Sequence, residues 1–329
     1  MLSESIATMG AGTLSARDAL PAPPRRATIN FTIPSARAGP LAFLALVIGS
    51  SALAFGPWLV RLSGTGPVAA GFWRLGLALP FLFLIARLAG QPVHWPGRRL
   101  GAIAALAAFF FAMDLIAWHI GIHMTKLGNA TLFGNMASFA FAAWGLWLVR
   151  RWPSGLQASA LLLALVGSVL LLGSSAELSA TNFRGDLLAL LAGLLYTGYL
   201  IAVQHACGEL QPLPLLFLAS AFGAAMLLPI SLALGETIIP ADWTFVLILA
   251  LSSQVIGQGL LVYAIGKFSP LVVGLVLLTQ PAISALSGWL AYGEALTLLD
   301  LVGASAIAIA LVLVRLPDKG LRAAPASAT

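Results

Sequence analysis

The stretch FFFAMDLIAWHIGIH, residues 109–123, holds one carboxyl group and two imidazoles in an otherwise apolar run: Asp114, His119 and His123. Such groups can take up and release protons. An unpaired charge in apolar surroundings is costly, so Asp114 requires an oppositely charged partner or a polar cavity. Arg74, which is isolated in another apolar run, is the candidate partner.

Composition makes the lipid bilayer the solvent for most of this chain. Of its 329 residues, 60% are hydrophobic and 9% are charged, whereas a soluble domain carries about 25% charged residues. Apolar runs long enough to cross a hydrocarbon core of about 30 Å recur from residue 41 to residue 315. Continuous runs rich in Ala, Leu and Gly favour helices over the alternating pattern of a barrel. The sequence therefore predicts an all-α polytopic membrane protein.

Turn signals between the apolar runs predict ten transmembrane helices. The predicted spans are residues 41–61, 67–89, 100–123, 128–149, 155–173, 185–206, 213–234, 243–266, 270–291 and 298–315. Residues 1–36 contain several prolines and no apolar signal-peptide segment, and we predict that they are a disordered cytoplasmic tail. Residues 317–329 are predicted to be a second cytoplasmic tail.

Basic residues are distributed unevenly between the two sides of the ten predicted spans. Thirteen Lys and Arg residues lie in the loops and tails on the side of the N terminus, and three lie on the other side: Arg61, Lys126 and Arg184. Because cytoplasmic loops carry the excess of basic residues, both termini are predicted to be cytoplasmic. The abundance of Arg and Ala favours a bacterial origin, and therefore a location in the cytoplasmic (inner) membrane.

An internal repeat relates the two halves of the chain. A shift of 143 residues aligns residues 122–152 with residues 265–295 without gaps, so that Gly145 meets Gly288. Each half holds five spans, an odd number, so the second half must be inverted relative to the first. We predict repeats over residues 37–175 and 184–316. Inverted repeats of this kind place a substrate site near the midplane, between the halves.

Three motifs resemble the drug/metabolite transporter (DMT) superfamily, and within it the EamA-type exporters. The motifs are FWRLGLALP (72–80), DLIAWHIGIHMTKLGNATLFGN (114–135) and LTQPAISALSGWLAYGEALTLLDLVG (278–303). The resemblance covers roughly residues 40–315. This sequence departs from the family pattern in its first half, where it has Ser138 in place of a common proline and Arg150 and Arg151 in place of an acidic turn. The resemblance implies a carrier that exports small solutes such as amino acids.

Arg74 and Asp114 are predicted to lie at similar depths in the same half of the membrane. Arg74 is about seven residues, or roughly 10 Å, from the outer end of its span, and Asp114 about ten residues, or roughly 15 Å. A lone charge at such depth costs on the order of 3 kcal/mol. We therefore expect the two side chains to pair directly or through one water molecule. That pair would serve either as a structural lock between two helices or as part of a substrate cavity.

Other polar side chains inside the spans extend the candidate site. Trp118 lies four positions after Asp114 and can share its face, whereas His119, five positions after it, is expected to point to a neighbouring helix or to the outer mouth of the site. The complete predicted substrate-binding set is Arg74, Asp114, Trp118, His119, Asn135, Gln254, Gln258 and Gln280. Gln254 and Gln258 are spaced i, i+4 and so share one helix face. Gln280 precedes Pro281, which frees a backbone carbonyl one turn earlier.

Four other carboxylates are expected to have structural roles. Asp186, Asp242 and Asp300 lie at starts of spans, where a carboxylate caps exposed N–H groups. Glu294 lies in an outer turn, where a cap or a loop contact explains it.

These features favour a secondary transporter that exports small organic metabolites by alternating access. The partners expected are a small-molecule substrate, the lipid bilayer and protons as a candidate coupling ion, with no nucleic acid. We predict no cofactor and no metal site, and the single cysteine, Cys207, excludes an internal disulfide. The absence of a Gly-rich phosphate loop indicates passive or ion-driven transport. A membrane-embedded enzyme and a regulatory membrane protein are the alternatives, and the oligomeric state stays open between monomer and homodimer.

Overall fold

A computed structural model describes residues 39–125, 127–150, 152–173, 179–180, 182–283, 286 and 297–316. The predicted terminal tails, Lys126, Arg151 and Glu294 lie outside the described residues, so the expectations about them remain predictions.

The described residues form ten helical spans in the predicted order, which confirms the predicted fold class. They are span 1 (Pro40–Ala54 and Gly56–Leu62), span 2 (Pro67–Gly76 and Ala78–Leu88), span 3 (Arg98–Met124), span 4 (Leu127–Gly134 and Met136–Val149), span 5 (Gly155–Gly173), span 6 (Phe183–Ala206), span 7 (Pro212–Ala233), span 8 (Trp243–Leu249, Ala250–Gln258 and Gly259–Ile265), span 9 (Pro270–Leu277 and 280–283) and span 10 (Leu298–Arg315). Seven of them are long and apolar enough to cross a membrane: spans 1 to 4 and 6 to 8. In the described residues, spans 5, 9 and 10 are shorter apolar helices.

Helix packing relates the first five spans to the last five. Span 3 packs along span 6, and span 1 packs along span 8. The two pairs are equivalent under the predicted repeat: span 3 of the first half corresponds to span 8 of the second, and span 1 corresponds to span 6. Span 2 packs against span 7, span 4 against span 9 and span 5 against span 10, so each of these spans meets its own counterpart. This is the packing expected of two inverted five-helix halves, whose boundaries in the sequence stay predictions.

Several spans are interrupted where the helix ladder cannot continue. Pro57 has no N–H for the carbonyl of Leu53, and span 1 breaks at Phe55. Pro281 likewise cannot bond the carbonyl of Leu277, and span 9 has a turn at residues 278–279. Span 4 breaks at Asn135, which the shift of 143 residues aligns with residue 278. The two halves are therefore interrupted at equivalent positions, although a proline follows the break only in span 9.

At one end of the bundle, two carboxylates of the second half of the chain accept hydrogen bonds from groups of the first half. Glu236 accepts hydrogen bonds from the backbone N–H groups of Val68 (3.2 Å) and Ala69 (2.8 Å), and so caps span 2. Asp186 accepts from the Thr125 hydroxyl (2.6 Å) and the Asn129 amide (2.9 Å). The expectation that Asp186 caps its own span is wrong, because its side chain is buried between helices and is used to join them.

The other two expected caps are confirmed. Asp242 accepts from the backbone N–H of Thr244 at 2.8 Å, and that hydrogen bond lowers the pKa of the exposed carboxyl. Asp300 forms a capping box with Thr297 at the start of span 10.

Glycine permits the closest helix contacts, and one of them yields a stability prediction. A Cβ atom at Gly274 in span 9 would collide with the backbone carbonyl oxygen of Ser138 in span 4. We expect Gly274→Ala to lower the free energy of unfolding by about 2 kcal/mol, because a backbone atom cannot move aside without separating the spans. The matched control is Gly259→Ala, whose Cβ would come no closer than 4.0 Å to Leu216. Thermal unfolding in detergent measures both, and equal melting temperatures for the two variants would refute the packing argument.

Candidate functional site

A cavity lies between the two halves of the bundle, in the interior of the spans. Its volume is about 100 Å³, several times the roughly 10–15 Å³ that one water molecule needs. Seven spans contribute to its wall: spans 1, 2, 3, 4, 6, 8 and 9. The substrate site was predicted between the halves, and this cavity occupies that position.

Six of the eight predicted substrate-binding side chains line this cavity: Arg74, Asp114, Trp118, Asn135, Gln258 and Gln280. They come from spans 2, 3, 4, 8 and 9, so the fold brings together residues that are distant in sequence. Gln254 does not line the cavity, but its Oε1 accepts a hydrogen bond from Nε of Arg74. His119 also lies away from the cavity.

Arg74 is buried, with 6% of its surface exposed. Its Nε donates a hydrogen bond to Oε1 of Gln254 at 3.3 Å, and its guanidinium carbon lies 5.5 Å from the centre of the Phe111 ring. That arrangement is a cation–π contact. The two terminal guanidinium nitrogens make no hydrogen bond within the part of the chain that the structure describes. They are therefore available to a ligand in the cavity.

Asp114 is also buried, and 8% of its surface is exposed. Among the described residues it has neither a hydrogen-bond donor nor a cation within ion-pair distance, so the expected direct pair with Arg74 is not formed. A bridge through one water molecule stays a prediction. Arg74 and Asp114 thus present opposite charges to one cavity without neutralising each other through a direct contact.

His119 faces the start of span 2 instead of the cavity. Its Nδ1 lies 2.8 Å from the carbonyl oxygen of Pro67, so that nitrogen carries the proton, while its Nε2 is buried without a partner among the described residues. The inclusion of His119 among the substrate-binding residues is not supported by this geometry. The physical reason is the five-residue spacing from Asp114, which places the ring on another helix face.

An aromatic wall beside the two charges was missed by the sequence analysis. Phe111 stacks on Tyr199, with 4.5 Å between ring centroids, and Tyr196 stacks on Tyr199 at 5.5 Å. Gln258 joins the two tyrosines, because its Nε2 donates to the Tyr196 hydroxyl (3.0 Å) and its Oε1 accepts from the Tyr199 hydroxyl (3.2 Å). The signal that could have revealed this wall is the sequence LLYTGYL in span 6, which places two phenols deep in an apolar run.

The segment of span 8 that carries both glutamines is a π-helix. It covers Ala250–Gln258 and so holds Gln254 and Gln258, both buried. The sequence predicted an α-helix here and missed this local change. Since π-helical turns inside α-helices are frequent at functional sites, its position beside the cavity agrees with a functional role.

Three helix breaks lie at the cavity wall. Gly56 and Pro57 at the break of span 1, Asn135 at the break of span 4 and Leu277 at the break of span 9 all line the cavity. The Nδ2 atom of Asn135 is buried and has no hydrogen-bond partner among the described residues. Interrupted helices around a central cavity are typical of the substrate sites of secondary transporters.

Comparison with known families agrees with this geometry. Residues 183–316, which contain spans 6 to 10, match the EamA-like transporter family. That segment is an EamA-like transporter domain. The EamA-like family is a family of transporters and not of enzymes, and the protein that carries this domain is a multi-pass membrane protein. The resemblance predicted from the motifs is thus confirmed for the second half.

Comparison with solved structures extends over most of the chain. One structure, described only as the crystal structure of a protein, superposes with a TM-score of 0.68 over 84% of this chain and 97% of its own. The two sequences are 15% identical, so the similarity shows the fold alone and gives no information about the substrate. None of the curated proteins compared with the sequence matches it. The EamA-like domain of residues 183–316 therefore provides the family context.

Proposed function

We propose that this protein is a secondary transporter that exports small organic metabolites such as amino acids by alternating access. The observation that supports this proposal is the central cavity, where Arg74 and Asp114 are both buried and are not directly paired. The EamA-like domain supports transport in general, and the charges indicate which small solutes the cavity can hold.

Opposite charges on separate spans suit a small dipolar solute. The terminal nitrogens of Arg74 can donate two parallel hydrogen bonds to a carboxylate. The carboxylate of Asp114, from span 3, can accept hydrogen bonds from an ammonium group. The aromatic wall of Phe111 and Tyr196 and the ring of Trp118 then offer apolar surface to the remainder of the solute.

We propose that the end of the bundle with the loops around Arg99 and Lys267 faces the cytoplasm. Among the described residues, that end carries Arg87, Arg98, Arg99, Arg150 and Lys267. Both termini would then be cytoplasmic, in agreement with the positive-inside rule. The host membrane in this proposal is the cytoplasmic membrane of a bacterium.

Counterflow in proteoliposomes tests the proposed function. Liposomes that contain the purified protein are loaded with one of the twenty L-amino acids, and uptake of the same radiolabelled amino acid is measured. We expect at least one amino acid to exchange several-fold faster than in protein-free liposomes, because exchange needs a carrier but no driving force. Exchange that does not exceed protein-free liposomes for any of the twenty would refute amino acids as substrates. A regulatory membrane protein would give that result.

A further inference from the structure

Arg74 is held in place by two hydrogen-bonded side chains of the second half of the protein, Gln254 and Ser220. Gln254 in span 8 accepts from Nε of Arg74 through Oε1, and its Nε2 donates to the hydroxyl of Ser220 in span 7 at 2.9 Å. Gln254 and Ser220 are both completely buried. The amide of Gln254 is therefore fixed at both ends, and it is the one hydrogen-bond partner of Arg74 among the described residues.

The hydrogen bonds of Gln254 and Ser220 determine the position of the guanidinium group of Arg74. Its Nε is turned toward span 8 and its plane lies near the Phe111 ring, so only the terminal nitrogens remain for the cavity. Asp114 faces the same cavity from span 3. Without Gln254, only the contact with the Phe111 ring would hold Arg74 away from Asp114. Two opposite charges in surroundings of low dielectric attract each other most strongly in direct contact.

We infer that Gln254, supported by Ser220, is a positioning residue that keeps Arg74 out of an ion pair with Asp114. The separation leaves one positive and one negative group for the two ends of a single dipolar substrate, a consequence that rests on the proposed function. Gln254 thereby determines specificity: it favours solutes with both charges over solutes with one. The π-helical turn around Gln254 supports the assignment, since such turns are frequent at functional sites.

Chemical labelling of Asp114 tests the positioning without any substrate. Dicyclohexylcarbodiimide reacts with protonated carboxyl groups in apolar surroundings, and a carboxylate in an ion pair is protected. The rate at which it labels the Asp114 peptide is measured by mass spectrometry in the full-length protein, with Asp114→Asn as the blank. We expect labelling to be several-fold slower in Gln254→Leu, because Arg74 is released to pair with Asp114. Gln204→Leu, which changes a glutamine of span 6 outside the cavity, is the matched control and should label at the native rate.

A second substitution shows whether Arg74 causes the protection. Labelling in the double variant Gln254→Leu/Arg74→Ala should return to the rate of the native protein or exceed it. Unchanged or faster labelling in Gln254→Leu overturns the inference. Slow labelling that persists in the double variant also overturns it, because the protection would then not come from Arg74. Ser220→Ala, which removes only the support of the glutamine amide, should lie between the native protein and Gln254→Leu.

Transport kinetics test the consequence for substrate binding. For the amino acid with the fastest counterflow, Gln254→Leu should raise KM about tenfold while the maximal rate changes little, since the substrate must first break the ion pair. In an Asp114→Asn background, Gln254→Leu should leave KM unchanged. Equal effects in both backgrounds would indicate a merely structural glutamine and would overturn the inference. If no amino acid is transported, the proposed function fails, and the labelling experiment still decides the positioning role.

Discussion

Replacing Arg74 by leucine is expected to reduce amino acid counterflow about 100-fold. Removing one partner of a buried, hydrogen-bonded charge pair costs about 2–5 kcal/mol, and 3 kcal/mol corresponds to a factor of roughly 100 in affinity. Leucine occupies a similar volume near Phe111 but offers no donor to a substrate carboxylate. The loss should therefore appear mainly as a higher KM, measured by counterflow in proteoliposomes.

Two further variants separate the charge of Arg74 from its geometry. Arg74→Lys keeps a cation but loses the planar fork, so its KM should lie between those of the native protein and Arg74→Leu. Arg87→Leu removes an exposed cation from the same span, which contacts Phe83 and not the cavity, and should transport at the native rate. Native counterflow in a folded Arg74→Leu variant would remove Arg74 from substrate binding. Its folding is checked by size-exclusion chromatography, because Gln254 loses a partner in this variant.

The sequence predicts the spans well because each depends on local properties. Within the described residues, apolar length and turn residues place the helix ends with errors of a few residues, and the bilayer imposes the same requirement on each span. The register of the repeat follows from the same hydropathy pattern. The repeat also makes two helix breaks equivalent, because the shift of 143 residues aligns Asn135 in span 4 with residue 278 in span 9.

The site is predicted less completely, because its partners are determined by packing between distant helices. The rarity of charges inside spans identifies Arg74 and Asp114, yet nothing local shows that Gln254, 180 residues from Arg74, would take the guanidinium instead of Asp114. The position of Asp186 at a helix start suggests a cap. Only the approach of Thr125 and Asn129 reveals that it joins the halves.

The π-helical segment of span 8 has no distinguishing sequence signal. Its composition, ALSSQVIGQ, is compatible with an α-helix, and Gln254 and Gln258 are both buried in the π-helical segment. The aromatic wall was missed for a different reason. Tyrosine is common where membrane helices meet water, so Tyr196 and Tyr199 attract little attention until the structure places their hydroxyls on Gln258.

The two predicted halves divide the chemistry. Arg74 and Asp114 both belong to the first half, and the aligned positions of the second half are Phe217 and Gly257. The second half instead supplies neutral donors and acceptors, Gln254 and Gln258, that hold or surround the charged groups. Under the proposed alternating access, a rocking motion of one half against the other would therefore change the environment of both charges at once.

Asp114→Asn is expected to abolish transport driven by a pH gradient. The carboxyl group of Asp114 faces the cavity and has no hydrogen bond or direct ion pair among the described residues, so a proton and the cationic end of a substrate can each bind it. A carrier in which they bind in turn exchanges substrate for protons. Asparagine has nearly the same shape but cannot bind a proton, so the exchange loses its coupling ion.

The measurement is accumulation of a transported amino acid in proteoliposomes with an imposed pH gradient. For one-to-one exchange, a gradient of one pH unit, about 1.4 kcal/mol, supports roughly tenfold accumulation in the acidic compartment, because protons leave it as substrate enters. We expect the native protein to accumulate substrate there and Asp114→Asn to equilibrate it without accumulation. Asp242→Asn is the matched control, because its carboxylate caps span 8 outside the cavity and should leave accumulation unchanged. If Asp114→Asn accumulates substrate as the native protein does, Asp114 does not carry the coupled proton. If the native protein itself only equilibrates the substrate, transport is facilitated diffusion and the two separated charges serve binding alone.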